Sequence, residues 1–126
     1  MIAGIGTDMV DIQRIAQVVA RGEHFKLKVF APDEIAYCDA QRHPAQHYAA
    51  RWAVKEAYLK AFGVEFITGH DLSLIVTCKD ELGKPYLELR GKEKERFDAK
   101  QLGAIHVSLS HTDTLAMAYV IIEKLN

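Results

Sequence analysis

Long apolar runs, paired cysteines and a surplus of either charge are all missing from this 126-residue chain. No segment nears the roughly 18–20 consecutive apolar residues that a membrane-spanning helix needs. The opening MIAGIGTDMV has no basic stretch ahead of its few apolar residues, so it does not read as a secretory signal. With 16 basic and 17 acidic side chains the net charge is -1 with His neutral, which excludes bulk attraction to nucleic acid or to an anionic membrane as the basis of function. Cys38 and Cys78 lie far apart and form no CxxC pair, so free thiols in a reducing compartment, the cytoplasm, are expected. There are only 3 prolines and no Pro/Gly/Ser-rich stretch divides the chain, so a single domain over residues 1–126 is expected. There is no Walker loop, GxGxxG fingerprint or nucleophile elbow, and GIGTD lacks the GK[ST] ending of a phosphate loop. HPAQH places His43 and His47 at i and i+4 but lacks the glutamate of HExxH, and no third ligand is evident, which disfavours zinc.

The composition is that of a globular domain, with 49% hydrophobic and 26% charged residues. IAGIGT (2–7) reads as a short strand. It runs into TDMVDIQRIAQVVARG, a helix with Ile12, Ile15 and Val19 on one face, Asp8 or Asp11 as its cap and Gly22 as its stop. FKLKVF and PDEIAYCDAQ are short helices, the second opened by Pro32. The longest helix begins at Pro44 and ends at Gly63. In the second half, alternation at Leu72, Leu74 and Val76 predicts a strand over 71–78, with a turn at DELGKP and a second strand at YLEL. RGKEKERFDAKQLG predicts a charged, solvated helix. IHVSLS and LAMAYVII, joined by HTDT, predict a hairpin of two largely buried strands. Antiparallel strands grouped beside a long helix give an α+β fold class.

Within the long helix, RWAVKEAYLKAFG (51–63) sets Glu56 and Lys60 one turn apart among Trp52, Tyr58, Leu59 and Phe62. A surface ion pair at this spacing stabilises by only ~0.3–0.5 kcal/mol. Ala50, Ala53, Ala57 and Ala61 form a stripe of small residues that allows close packing, which places both polar groups along a partly buried face. A buried charge needs a partner. Asp8 is an N-cap or a ligand. Two carboxylates converging on one point suit Mg²⁺, and a nearby lysine suits phosphate charge. His111, at a strand-to-turn junction in SLSHTDT, is a turn histidine, a phosphate contact or a proton-transfer group. Arg14 and Arg21 share one helix face with Val18 between them: a solvated basic face, or with Phe25 a docking edge for an acidic partner helix. Arg51 and Lys55 form a second basic pair, either solvent-facing or aimed at phosphates.

Taken together, these stretches resemble the short bacterial holo-acyl-carrier-protein synthases, a family of 4'-phosphopantetheinyl transferases. GIGTDMVDIQR (4–14) resembles the family's GxDxVxxxR signature, RWAVKEAYLKAFG its WxxKExxxKAxG, and SLSHTDTLAMAYV its closing SxSH segment. GKPYL also looks familial. The likeness runs from residue 2 to about 122, with the motifs in the family's order. It implies transfer of phosphopantetheine from coenzyme A to a serine of apo-acyl carrier protein, in support of fatty acid biosynthesis. Asp8 and Glu56 would hold Mg²⁺, with Mn²⁺ as an alternative. Lys60 would neutralise or protonate the departing phosphate, and Glu56 through a metal-bound water, or Asp8, would take the serine proton. His111, Lys60, Arg51, Gly63 and Thr112 would contact coenzyme A. Arg14, Val18, Arg21 and Phe25 would meet the carrier protein. The resemblance further implies homotrimers with each site at a boundary between protomers. Two other readings are a metal-dependent nucleotide diphosphate hydrolase, which needs no basic docking face, and a non-catalytic carrier-binding module, which needs neither Glu56 nor Lys60.

Overall fold

The computed structural model describes residues 1–64 and 69–126. In chain order the elements are β1 (Ile2–Asp11), α1 (Ile12–Ala20), α2 (Glu23–Val29), α3 (Pro32–Asp39), α4 (Pro44–Phe62), a 3-10 turn (Leu72–Leu74), β2 (Ile75–Lys79), β3 (Pro85–Leu89), α5 (Gly91–Ala99), β4 (Leu102–His111) and β5 (Leu115–Lys124). The three long strands form one antiparallel sheet in the order β1-β5-β4, and β2 and β3 form a separate antiparallel hairpin. The α+β expectation holds.

The long helix is the hub. Tyr48, Ala49, Ala53, Val54, Ala57, Tyr58 and Leu59 are all buried, so apolar residues cover nearly its whole circumference, as befits a helix enclosed by other elements. It is opened by Pro44 and closed by Gly63 in the left-handed conformation (φ 106°), which a glycine adopts without steric cost. The alanine stripe has the predicted use. A Cβ added to Gly4 or Gly6 would fall under 3.0 Å from the carbonyl oxygen of Ala61 or Ala57. The glycines of GIG therefore let the backbone of α4 sit directly on β1.

Four expectations are corrected. The first strand does not stop at residue 7 but continues to Asp11, so Asp8 lies inside a strand and only Asp11 caps α1, accepting from the N–H groups of Gln13 (2.9 Å) and Arg14 (3.3 Å). Pairing with β5 explains the extension, since Asp8 is opposite Ala118 and Val10 opposite Ala116. The strand predicted over 71–78 starts only at Ile75. Asp71 takes the N–H of Ser73 onto its own carboxylate, which turns the backbone before the ladder begins. The charged helix is not wholly solvated: Glu93 and Phe97 of α5 are buried, and Glu93 accepts from the N–H of Asp71 (2.8 Å) and meets His70 Nδ1 (2.9 Å). Finally, the C-terminal hairpin is buried on one face only. Ala116, Ala118, Val120 and Ile122 point at α4, whereas Leu115 and Tyr119 are exposed, and alternate residues of β4 are exposed.

Candidate active site

Strand β1 and helix α4 each deliver one carboxylate to the same place. Asp8 leaves the strand two residues after the glycine on which α4 rests, and Glu56 leaves the helix beside Ala57, the residue whose carbonyl meets that glycine. Lys60, one turn further on, donates to the Thr7 carbonyl (2.9 Å) and to Asp8 Oδ1 (3.3 Å). The side chain of Asp8 is 18% exposed and that of Lys60 51%. Lys60 is thus drawn to β1 and away from Glu56, and the i,i+4 ion pair does not form among the described residues. Burial pushes the Glu56 carboxyl above its ordinary pKa, and the Asp8 charge pushes it further, with Lys60 opposing. A carboxylate half removed from water and facing another is relieved by a cation. Mg²⁺ binds through one or two carboxylates and completes its shell with water and phosphate oxygens, so these residues fit that ion.

The acid pair opens into a cleft of about 460 Å³. Arg14 and Val18 of α1, Phe25 of α2 and Trp52 of α4 line it together with Asp8 and Glu56. Three of the four predicted docking residues therefore share a cleft with the predicted metal ligands. Arg21 lies outside it, exposed at the end of α1.

His111 and Arg51 are elsewhere. They line a second cleft of about 220 Å³ with His47, Thr77 and Lys79, walled by Gly83 and Pro85 of the GKPYL turn. Arg51 is 3% exposed, and its guanidinium lies over the ring of Tyr37, 4.3 Å from the centroid. Gly63 and Thr112 line neither cleft. The Thr112 hydroxyl accepts from the N–H groups of Thr114 (3.2 Å) and Leu115 (3.0 Å), so it holds the β4–β5 turn.

The solvent-or-phosphate alternative for Lys55 is also corrected. Lys55 is fully buried and donates to Glu34 Oε1 (2.8 Å), to the carbonyl of Leu72 (2.8 Å) and to the carbonyl of Ile75. The other oxygen of Glu34 accepts from the N–H of Thr77 (3.0 Å), and Oε1 also accepts from Ala31 N–H (3.0 Å). One buried pair thus ties α3, α4 and β2 together. Glu34, Thr77 and Lys79 escaped sequence reasoning, and His47 was weighed only as a disfavoured zinc ligand. Two signals for the last three were present: His43, His47 and Arg51 follow one helix face at four-residue steps, and Thr77 and Lys79 share one strand face.

Fold and acid pair together describe a small transferase unit, and the chain belongs to the 4'-phosphopantetheinyl transferase superfamily, whose sequence pattern matches residues 4–120. It is 43% identical over 126 residues to a holo-[acyl-carrier-protein] synthase of Syntrophus aciditrophicus, covering 99% of this chain and 98% of that one. The crystal structure of holo-[acyl-carrier-protein] synthase from Neisseria meningitidis matches with a TM-score of 0.91 at 29% identity, over 98% of this chain and 100% of that one. A Bacillus anthracis holo-(acyl-carrier-protein) synthase, solved in complex with CoA (3',5'-ADP), matches with a TM-score of 0.81 at 27% identity, over 98% of each chain.

Proposed function

We propose that this chain, acting as a single domain over residues 1–126, transfers the 4'-phosphopantetheine group of coenzyme A to a serine hydroxyl of apo-acyl carrier protein. Adenosine 3',5'-bisphosphate is the other product. The observation that carries the reading is the shared cleft: Asp8, Glu56 and the docking residues Arg14, Val18 and Phe25 open onto one space. A hydrolase of nucleotide diphosphates has no use for a basic and apolar rim there, and a binding module has no use for the acid pair.

In the reaction the serine oxygen bonds to the phosphorus nearer pantetheine and the bond from that phosphorus to the bridging oxygen breaks. Negative charge builds on the leaving and non-bridging oxygens. Mg²⁺, or Mn²⁺ in its place, bound by Asp8 and Glu56 would supply positive charge to the diphosphate. Lys60, which among the described residues is held by Thr7 and Asp8 and is half exposed, can meet the leaving phosphate and donate a proton to it. Glu56, acting through water, takes the serine proton. Arg14 and Arg21 meet acidic residues of the carrier, with Val18 and Phe25 as apolar contacts. Arg51 and His111 contact coenzyme A from the second cleft.

A homotrimer reconciles the two clefts, with Arg51 and His111 of one protomer completing the acid pair of its neighbour. The outer face of the β1-β5-β4 sheet supports it: Ile5 is 62% exposed, Met9 58% and Tyr119 46% on that one face, opposite the face that packs on α4. Adjoining apolar residues left in water at this density mark an interface. No helix among the described residues is long and apolar enough to cross a membrane, and the cytoplasm is the proposed location, in keeping with two free cysteines.

The test is the intact mass of an apo-acyl carrier protein after incubation with this protein, coenzyme A and Mg²⁺, with Glu56→Ala in parallel. The expected result is a gain of one phosphopantetheine that the variant does not give. No gain with the folded wild-type protein on any apo-carrier would sink the reading.

A further inference from the structure

The core pair of Lys55 and Glu34 is satisfied on every side. The three protons of the Lys55 ammonium go to Glu34 Oε1 (2.8 Å), to the Leu72 carbonyl (2.8 Å) and to the Ile75 carbonyl. Glu34 also accepts from the N–H groups of Ala31 (3.0 Å) and Thr77 (3.0 Å). Neither side chain has any exposure. Burial still holds the Lys55 pKa below its ordinary value, and Glu34 opposes that only in part. Charges taken out of water in this way add little stability, and apolar side chains of similar volume often serve a fold as well. What an apolar pair lacks is direction. Acceptors on α3, on the 3-10 turn and at the start of β2 leave the ammonium one placement that satisfies all of its protons.

Glu56 needs that direction. It follows Lys55 on α4 and makes no hydrogen bond of its own among the described residues, while Lys60 turns to Thr7 and Asp8. Where its carboxyl points is therefore set by the rotation of α4 about its own axis, since neighbours on a helix project about 100° apart. The rest of the helix fixes its depth better than its rotation. Gly4 and Gly6 decide how closely α4 approaches β1, and the remaining circumference is almost wholly apolar. Apolar cores that keep their volume lose uniqueness before they lose stability.

We infer that Lys55 and Glu34 are positioning residues for the transfer reaction: anchored in the core, they fix the rotation of α4 and so aim Glu56 at Asp8. The inference rests on the proposed metal site and reaction. Neither residue lines the cleft that holds the acid pair, so both act on the chemistry only through Glu56. Loss of a residue that orients a metal ligand lowers metal affinity or activity by about 10- to 100-fold. That loss is expected here even where the fold keeps its stability.

The test compares the whole wild-type protein with Glu34→Gln, Lys55→Met, the double variant Lys55→Met/Glu34→Gln and Tyr48→Phe. Thermal melting reads stability. Electron paramagnetic resonance of free Mn²⁺ reads metal affinity in the presence of coenzyme A without carrier, and steady-state kinetics read kcat and the KM of apo-carrier. The double variant is expected to melt above Lys55→Met. It should nonetheless bind Mn²⁺ about 10- to 100-fold more weakly than the wild type and lose kcat by a similar factor, with the KM of the carrier unchanged. Tyr48→Phe is the control for lost stability alone. It removes a hydrogen bond from the same helix to Asp39 (2.6 Å), and it should melt lower while keeping wild-type metal affinity and kcat. Metal affinity and kcat that return in step with stability in the double variant would overturn the inference and leave the pair a packing element. Should the double variant not fold, Glu34→Gln, which keeps the shape of the side chain, decides: wild-type Mn²⁺ affinity in that variant overturns the inference, and a loss of about 10-fold or more upholds it. A wild type that binds no Mn²⁺ strikes the acid-pair reading and this inference with it. Mn²⁺ binding without carrier modification strikes the transferase reading alone, and the metal titrations still judge the pair.

Discussion

Glu56 and Lys55 are neighbours in the chain with opposite circumstances. Lys55 is fully enclosed and fully paired, while Glu56 is half-buried beside a second carboxylate with its pKa raised. A carboxyl whose folded pKa exceeds its unfolded one penalises the folded state. The penalty is absent below the ordinary value of 4.5, grows as pH rises through the raised folded value, and is complete above it. Glu56→Gln is therefore expected to melt at or above the wild-type temperature at pH 7 without metal, while carrier modification falls by about 10²-fold or more. Scanning calorimetry and intact mass read the two. Mg²⁺ should raise the melting temperature of the wild type and not of Glu56→Gln, and its affinity should weaken as pH drops and Glu56 gains its proton. Lys55→Met is expected to behave in the opposite way. It strands the Glu34 carboxylate in the core and costs about 3–5 kcal/mol by urea denaturation, and Glu34→Gln in the same chain recovers part of the loss. The sequence displays Arg51, Lys55 and Lys60 alike as helix cations. Their different fates are set by Tyr37, Glu34 and Asp8, which lie 14, 21 and 52 positions away and which no local pattern predicts.

Helix α4 was the most legible element, because Pro44, Gly63 and an apolar-rich run between them are local signals with local causes. Strand β1 was harder. TDMVD alternates as well as a strand should, yet it also holds two good helix caps, and only pairing with β5 decides that Asp8 stays extended while Asp11 caps. The two elements meet through bare backbone at Gly4 and Gly6, so the position of Asp8 relative to Glu56 depends on glycine. Gly6→Ala must push α4 from β1 or the carbonyl of Ala57 from its place. The expected cost is about 1–3 kcal/mol or more in denaturant unfolding. Activity should drop further than residual folding explains, since the displaced Ala57 adjoins Glu56. A Gly6→Ala protein with wild-type turnover would show that the acid pair tolerates a shifted helix.

Across the whole molecule, the motif residues divide between two clefts, a split that the sequence order of Asp8, Arg51, Glu56 and His111 does not reveal. If protomers share sites, Glu56→Gln and Arg51→Ala chains should each be nearly inactive alone and should complement each other when refolded together. In a randomly mixed trimer about a quarter of the sites join an intact Glu56 to an intact Arg51 across a head-to-tail interface, so recovery to roughly a quarter of wild-type activity is expected. No recovery despite proven subunit exchange would place all of these residues' work within one chain. The apolar outer sheet face was equally hidden, because strands predicted to be buried on both sides and strands awaiting a partner have the same composition.

One consequence of the topology concerns the order in which the protein is made. Among the described residues, the strand that carries Asp8 has one sheet neighbour, β5, which is the last of the described strands. At about 5–20 residues per second, β1 is synthesised roughly 5–20 s before Leu115, with which it pairs. Until then Asp8 has no strand to fix it, and α4 has no complete sheet to rest upon. Unfinished chains are therefore silent: a nascent polypeptide cannot engage coenzyme A productively, and activity arrives only as synthesis closes the sheet.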